Sequence, residues 1–228
     1  MSASLLIIGS GGFGRETARA ALDGGYDGEV LGFLDDDPAR AGDVIGGLPV
    51  VGGLGSVAEH PEAQVVVATG RPDNFTSRAR IVARLGLAPE RYATVVHPGA
   101  HLGADTVVGR GTVVLAGTVA TAGVRIGAHV AVMPQVVLTH DDVVGDFATL
   151  ASSVALAGGV EVGEGSYLGA ATLVRQGLRV GAWSLIGMGS LVLDDVPAGR
   201  TWFGRPAGDR GPSPAADTLA DAPQGGSA

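Results

Sequence analysis

From Leu102 onward the chain repeats a six-residue pattern of aliphatic and polar positions. Stepping by six meets Leu102, Val108, Val114, Ala120, Ile126, Val132, Leu138, Val144, Leu150, Leu156, Val162, Leu168, Val174, Val180, Ile186 and Val192. All but Ala120 are Val, Ile or Leu, and nothing is inserted along the run. A hexad period of this kind predicts a parallel β-helix. A longer beat lies over it, because Val108-Gly109, Ile126-Gly127, Val144-Gly145, Val162-Gly163 and Val180-Gly181 recur every eighteen residues. Three hexads then make one triangular coil, and the run to Pro197 holds about five coils. At a strand spacing of about 4.8 Å the prism is roughly 25 Å tall. The slot four residues after each aliphatic position is also inward and mostly small, as at Thr112, Val124 and Val160. Asp142 is the charged exception, and such rule-breaking is expected at functional or strained sites.

Residues 1–92 read differently. Leu5 to Ile8 is a short buried strand, Gly9-Ser10-Gly11-Gly12-Phe13-Gly14 a loop, and Arg15 to Leu22 a helix. Glu29 to Leu34 is a second strand that ends at Asp35-Asp36-Asp37. Val65 to Ala68 is another, followed by Gly70, and Arg78 to Leu85 is a second helix. The alternation predicts a small Rossmann-like α/β domain. The loop fits G-x-G-x-x-G between a strand and a helix, where glycines let the backbone approach a phosphate. Taken alone it says dinucleotide, but about 90 residues is roughly half of a doubly wound dinucleotide fold. A half-fold suits one nucleotide diphosphate, such as a nucleotide-sugar. A purely structural glycine turn, and a helix cap at Asp37-Pro38, remain open readings of the same residues.

Composition sharpens this. The organisation expected is a nucleotide-sugar-binding domain over 1–92, a β-helix over 93–208 and a disordered tail over 209–228, rich in Pro, Ala, Gly, Ser and Asp. The net charge of −8 argues against nucleic-acid binding. No apolar run approaches about 18 residues, so no membrane span is expected. Met1 to Leu6 has no basic stretch, and a cytoplasmic location is the expectation. Without any Cys there are no disulfides or thiolate ligands, and without any Lys no Schiff base.

Of five histidines, His60, His97, His101 and His129 read as structural or solvated. His140 falls at a coil corner beside Asp141, stacked between Ala122 and Gly158 one coil away on either side. The small neighbours leave room around the imidazole, and the Gly158-Gly159 backbone offers N–H groups about 4.8 Å along the stack. A base beside a free N–H donor is what acyl transfer needs.

These residues carry a resemblance. Ile8 to Arg15, Gly32-Phe33-Leu34-Asp35-Asp36 and Val96-His97-Pro98 are its first marks. His140-Asp141, Gly145-Asp146-Phe147, Ala157-Gly158-Gly159-Val160 and Gly204-Arg205-Pro206-Ala207 complete it. The chain, up to about Gly208, resembles the NeuD/PglD-like sugar acetyltransferases, the group of the sialic acid O-acetyltransferases and the bacillosamine-pathway acetyltransferases. The resemblance implies a left-handed β-helix, a homotrimer with active sites between subunits, acetyl-CoA as co-substrate and no metal. It implies His140 as general base, oriented by Asp141, with the Gly158 amide meeting the thioester carbonyl and Gly204, Arg205 and Pro206 closing the acetyl-CoA site. The front domain would hold a UDP- or dTDP-linked amino sugar through Gly9, Gly11, Gly12, Phe13, Gly14, Asp35, Asp36 and Gly70. The chain departs from some relatives at Met133 and Thr149, where they carry Asn and a second His. Direct transfer in a ternary complex is the mechanism expected. The alternatives are O-acetylation of a sugar hydroxyl, a non-catalytic nucleotide-sugar-binding protein, a β-helix metalloenzyme using His129 and His140, and, last, a dehydrogenase.

Overall fold

A computed structural model describes residues 3–216. The front sheet holds β1 (Leu5–Ile8), β2 (Val30–Leu34), β3 (Val44–Ile45), β4 (Leu48–Gly52) and β5 (Gln64–Val67), in the order β3-β4-β2-β1-β5. All pairs are parallel except β3 with β4. The parallel strands thus form one half of a doubly wound sheet, with β1 central. Two helices flank it, α1 (Gly12–Ala20) and α2 (Ser77–Leu85). As a central strand β1 is buried on both faces. Leu5 and Ile7 pack with Ala18 of α1, while Leu6 and Ile8 pack with Ile81 and Leu85 of α2. The hairpin of β3 and β4 escapes the sequence reading. Its signal is Gly46-Gly47, both at positive φ, the conformation that a two-residue hairpin turn requires.

Behind this sheet the chain winds a three-sided parallel β-helix, as the six-residue period predicts. Each side is a ladder of two-residue strands whose partners lie eighteen residues apart, such as Ala120 with Leu138 and Leu138 with Leu156. Each aliphatic hexad residue is the second of its strand, and from Val114 to Val192 all are buried. The helix starts one rung before the repeat was read, at Val95–Val96 paired with Val113–Val114. Corners turn through one residue at positive φ every six residues. Half of these are not glycine, including His129, Asp141 and Phe147. The recurring glycine of each coil answers a different constraint: a Cβ on Gly145 would lie 2.7 Å from the Glu164 nitrogen in the coil below.

The last rungs depart from the period, with Ile186 paired to Trp202. An antiparallel hairpin, Arg200–Gly204 with Ala207–Pro212, then closes the prism. The tail expected to be disordered from Asp209 therefore begins as a strand. The chain continues so that Ser213 Oγ donates to the Trp183 carbonyl at 2.6 Å, and Ala215 packs with Phe75 and Trp183. Ladder bonds and this apolar docking outweigh the polar composition there. Residues 217–228 of that segment lie outside the described residues. Among the described residues no helix is long and apolar enough to cross a membrane.

Candidate active site and nucleotide cleft

The glycine loop lies where the sheet topology reverses, beyond the carboxyl ends of β1 and β5. A cleft of about 680 Å³ opens there, lined by Gly9, Gly11, Gly12, Phe13, Asp35 and Gly70. This is where open α/β sheets bind ligands. Helix α1 starts at Gly12, earlier than expected, with Gly11 as N-cap and no side-chain cap. Its first N–H groups therefore have no intrahelical acceptor and face the site as anion donors. Gly14 serves packing instead, since a Cβ there would run into the Gly9 carbonyl. Thr69, Asn74 and Ser77 also line the cleft, and Arg71 supplies a cation. The sequence reading missed these four, which follow β5 without a motif.

The three acidic residues after β2 divide their work. Asp35 accepts from the Ser10 amide at 2.8 Å and from Ser10 Oγ at 2.5 Å, fixing the glycine loop. Burial pushes its carboxyl up, but the bonds from Ser10 and Asp37 outweigh this and hold it below the usual carboxylate range. Asp36 accepts from the Leu54 amide at 2.7 Å and pairs with Arg84 at 3.1 Å, and it lines a smaller recess that adjoins the cleft at Gly9, Asp35 and Thr69. Asp37 caps the short turn at Pro38–Arg40 through the Ala39 amide and also lines the cleft.

A second recess of about 140 Å³ adjoins the cleft at Phe13 and Gly70 and reaches the β-helix at Met133, Thr149 and Tyr167. Its floor is Arg78, which the sequence reading placed only as the start of a helix. Arg78 is buried, and its guanidinium ties the two parts of the molecule together. Nη1 donates to the Thr69 carbonyl at 2.7 Å, and Nε to the His129 carbonyl at 2.9 Å. Nη2 donates to the Phe147 carbonyl and Thr149 Oγ1, both at 2.7 Å, and to the Ala148 carbonyl at 3.0 Å. Burial draws its pKa down to about 10, which leaves it a cation at neutral pH.

His129 shares this junction. Its ring stacks on Phe147 at 5.0 Å and meets Tyr92 edge-on at 4.6 Å. Burial pulls its pKa down to about 4, with Arg78 adding to the drop and Asp146 opposing it. The unfolded chain takes up this proton near pH 6.5. His129 therefore contributes stability that is complete above about pH 6.5 and lost as pH falls towards 4. Urea midpoints of His129→Phe should fall less steeply across that window than those of the native chain. Parallel profiles would assign the acid sensitivity to another group.

His140 stands at the corner between the strand Val137–Leu138 and the strand Val143–Val144, where its side chain is 69% exposed. Nδ1 lies 2.9 Å from Asp141 Oδ2. The other edge of the ring lies over Gly158, and a Cβ there would collide with Nε2. The glycine's missing side chain is the room that the imidazole occupies. The Gly159 N–H donates to the His140 carbonyl at 2.8 Å, so it belongs to the ladder and is not a free donor. Among the described residues the Gly158 N–H meets no acceptor. An oriented imidazole nitrogen and an unpaired amide thus share one corner. Asp142 is wholly buried and does not bond the ring. Gly204, Arg205 and Pro206 form the turn of the closing hairpin, with Gly204 at φ +114° and its amide 3.3 Å from Ser190 Oγ. That turn caps the C-terminal end of the prism, a few coils beyond His140. Among the described residues no group of three His, Asp or Glu side chains is gathered to hold a metal ion.

Comparison with known proteins agrees with this geometry. Residues 4–85 match the family model of the PglD N-terminal domain. No curated protein sequence matches the chain. The acetyltransferase domain of PglB from Neisseria gonorrhoeae, solved with acetyl coenzyme A, is 28% identical and superposes with a TM-score of 0.83 over 92% of this chain and 100% of that one. PerB from Caulobacter crescentus, solved with CoA and GDP-perosamine, is 30% identical with a TM-score of 0.80 over 92% of this chain and 98% of that one. WeeI from Acinetobacter baumannii shares the fold at 24% identity, with a TM-score of 0.79 over 92% of this chain and 100% of that one. The molecule is thus an acyltransferase built on a left-handed β-helix with a Rossmann-like front domain. Within that class the chain belongs to the NeuD/PglD-like family of sugar acetyltransferases.

Proposed function

We propose that this enzyme transfers the acetyl group of acetyl-CoA to the amine of a nucleotide-linked amino sugar, in one ternary complex, with His140 as general base. The carrying observation is the corner where the imidazole lies over Gly158 beside that residue's unpaired N–H. Asp141 at Nδ1 favours the tautomer with its proton on that nitrogen, which leaves the Nε2 lone pair for the amine. The amine nitrogen attacks the thioester carbonyl as Nε2 takes its proton. The Gly158 N–H donates to the oxyanion that forms. The C–S bond then breaks, and the imidazolium returns its proton to the leaving sulfur. With neither Cys nor Lys in the chain, a thiol or amine acyl carrier is lacking, which supports direct transfer.

The glycine-lined cleft suits the diphosphate, with Gly11, Gly12 and the start of α1 as donors beside Gly9, whose own N–H is held by the Leu34 carbonyl, and the recess at Phe13 and Gly70 suits the sugar. PerB holds GDP-perosamine, so guanosine joins uridine and thymidine as a base to test. Within one chain the recess and His140 lie at different corners of the prism. They are separated by one six-residue side, roughly 20 Å. The outer face of that side carries Val119, Val137, Ala155, Leu173 and Leu191. Burying this apolar face against a second copy would set His140 of one subunit near the recess of the next, which supports a homotrimer with shared sites. The Gly204–Pro206 turn lies far enough along the prism to close on an extended CoA arm. A cytoplasmic location fits the use of acetyl-CoA.

The test is thiol release from acetyl-CoA against UDP-, dTDP- and GDP-linked amino sugars. Free amino sugars and nucleotide-sugars bearing only hydroxyls serve as controls. Turnover confined to a nucleotide-linked amino sugar is the result expected. Turnover with a hydroxyl-only sugar would make the enzyme an O-acetyltransferase, and tight binding without thiol release would make it a non-catalytic binding protein.

A further inference from the structure

Asp142 occupies an interior slot that its fold does not need to fill with a charge. The residues stacked on it one coil away are Val124 and Val160. Asp142 itself has no exposed surface and is the one buried carboxylate among the described residues. Its two oxygens are used on two different coils. Oδ2 accepts from the Thr139 amide at 2.8 Å, and Oδ1 accepts from the Val160 amide at 2.9 Å. Thr139 immediately precedes His140, and Val160 follows Gly158 by two residues.

Both bonds replace the ordinary pattern of the coil. One coil earlier the Thr121 amide donates to the Leu138 carbonyl at 3.0 Å, and one coil later the Ala157 amide donates to the Val174 carbonyl at 3.0 Å. At Thr139 the amide goes to the carboxylate, and Thr139 Oγ1 donates to the Leu156 carbonyl at 3.1 Å in its stead. At other slots the amide closes its own turn, as Val154 does on Ala151 at 3.2 Å, or meets a neutral hydroxyl one coil back, as Val130 does on Thr112 Oγ1 at 2.9 Å. At Val160 it goes instead to Asp142. We propose that Asp142 is a positioning residue for acetyl transfer: from inside the prism its carboxylate clasps the turn that carries His140 to the turn that carries the Gly158 amide. The inference rests on the roles given above to those two groups.

The clasp opposes fold stability. Burial pushes the Asp142 carboxyl up to about 6, with the amides of Val160 and Thr139 and the nearby His140 drawing it back and Asp141 adding to the rise. A valine there would match the slots above and below and bury no charge. Its amides at 139 and 160 could return to ladder and turn carbonyls, which would reset the spacing of base and donor. Misplacement of reacting groups by about 1 Å costs on the order of a hundredfold in rate.

The test sets Asp142→Val and Asp142→Asn beside His140→Ala in the full chain. Each is measured for thermal midpoint, kcat and KM for acetyl-CoA with the accepted sugar. Asp142→Val is expected to melt at or above the native midpoint, with kcat lowered about ten- to a hundredfold and KM within about twofold. Asp142→Asn keeps one acceptor and turns its amide hydrogens towards the other N–H, so its kcat should fall between the two. It carries the test if the valine variant does not fold. Native kcat in a folded Asp142 variant, with the kcat of His140→Ala lowered at least about a hundredfold, would overturn the clasp and leave the base in place. Native kcat in His140→Ala would overturn the underlying reading, and the clasp with it.

Discussion

His140→Ala should lower kcat by a factor of about 10² to 10⁴, the range that a positioned general base supplies, and should leave KM for acetyl-CoA within about twofold. The reason for so large an effect is local. The ring is held at one nitrogen by Asp141 and has its other edge over Gly158. No other described imidazole can take over, because the nearest along the chain, His129, is buried between Tyr92 and Phe147. The Gly158 amide survives the substitution, so residual turnover above the uncatalysed rate should remain. The loss falls on kcat because the proton moves only as the bond forms. Steady-state kinetics with the accepted nucleotide-sugar decide the point. A variant that keeps more than half of the native kcat would remove His140 from the chemistry.

Arg78→Met carries the largest expected cost to stability, about 4 kcal/mol. Three carbonyls that Arg78 serves, those of Thr69, His129 and Phe147, have no other donor among the described residues. Orphaning a buried acceptor costs roughly 1–3 kcal/mol each. Removing a desolvated charge offsets part of this, since no carboxylate among the described residues lies in ion-pair range of Arg78 and burial already draws its pKa down to about 10. For a chain of this size the melting temperature should drop by roughly 10 °C. KM for the nucleotide-sugar should rise, because Thr69 and Gly70 line its cleft, while KM for acetyl-CoA should not. Arg78→Lys should recover less than half of the loss, since one ammonium cannot span carbonyls that a planar fork reaches together. A melting temperature within 2 °C or so of native would show that the carbonyls find water instead.

The prism was the most legible part of the chain because its rule is local. An aliphatic residue every sixth position faces inward, and partners eighteen apart stack whatever lies between. The glycine loop was legible as a strand–loop–helix turn for a similar reason, since the turn at Gly9 and the helix packing at Gly14 each exclude a Cβ within six residues. Where composition stood in for a pattern, the reading failed. The segment from Asp209 is polar and glycine-rich, yet it forms a strand because Arg200–Gly204 offers it an edge. Position after β2 could not show that Asp36 accepts from the Leu54 amide and pairs with Arg84, because those partners lie 18 and 48 residues on.

The chain's own order of residues dictated the coil, its inward face, the nucleotide-type loop and the position of His140 at a corner, because each follows from spacing over a few residues. Packing alone decided that Arg78 joins the two parts, that His129 is buried and neutral, that Asp142 clasps two turns from within, and that Gly159 belongs to the ladder while Gly158 has no acceptor for its N–H among the described residues. Those roles are set by partners eighteen to seventy-one residues away, brought together only when the coils stack and the front sheet docks on them.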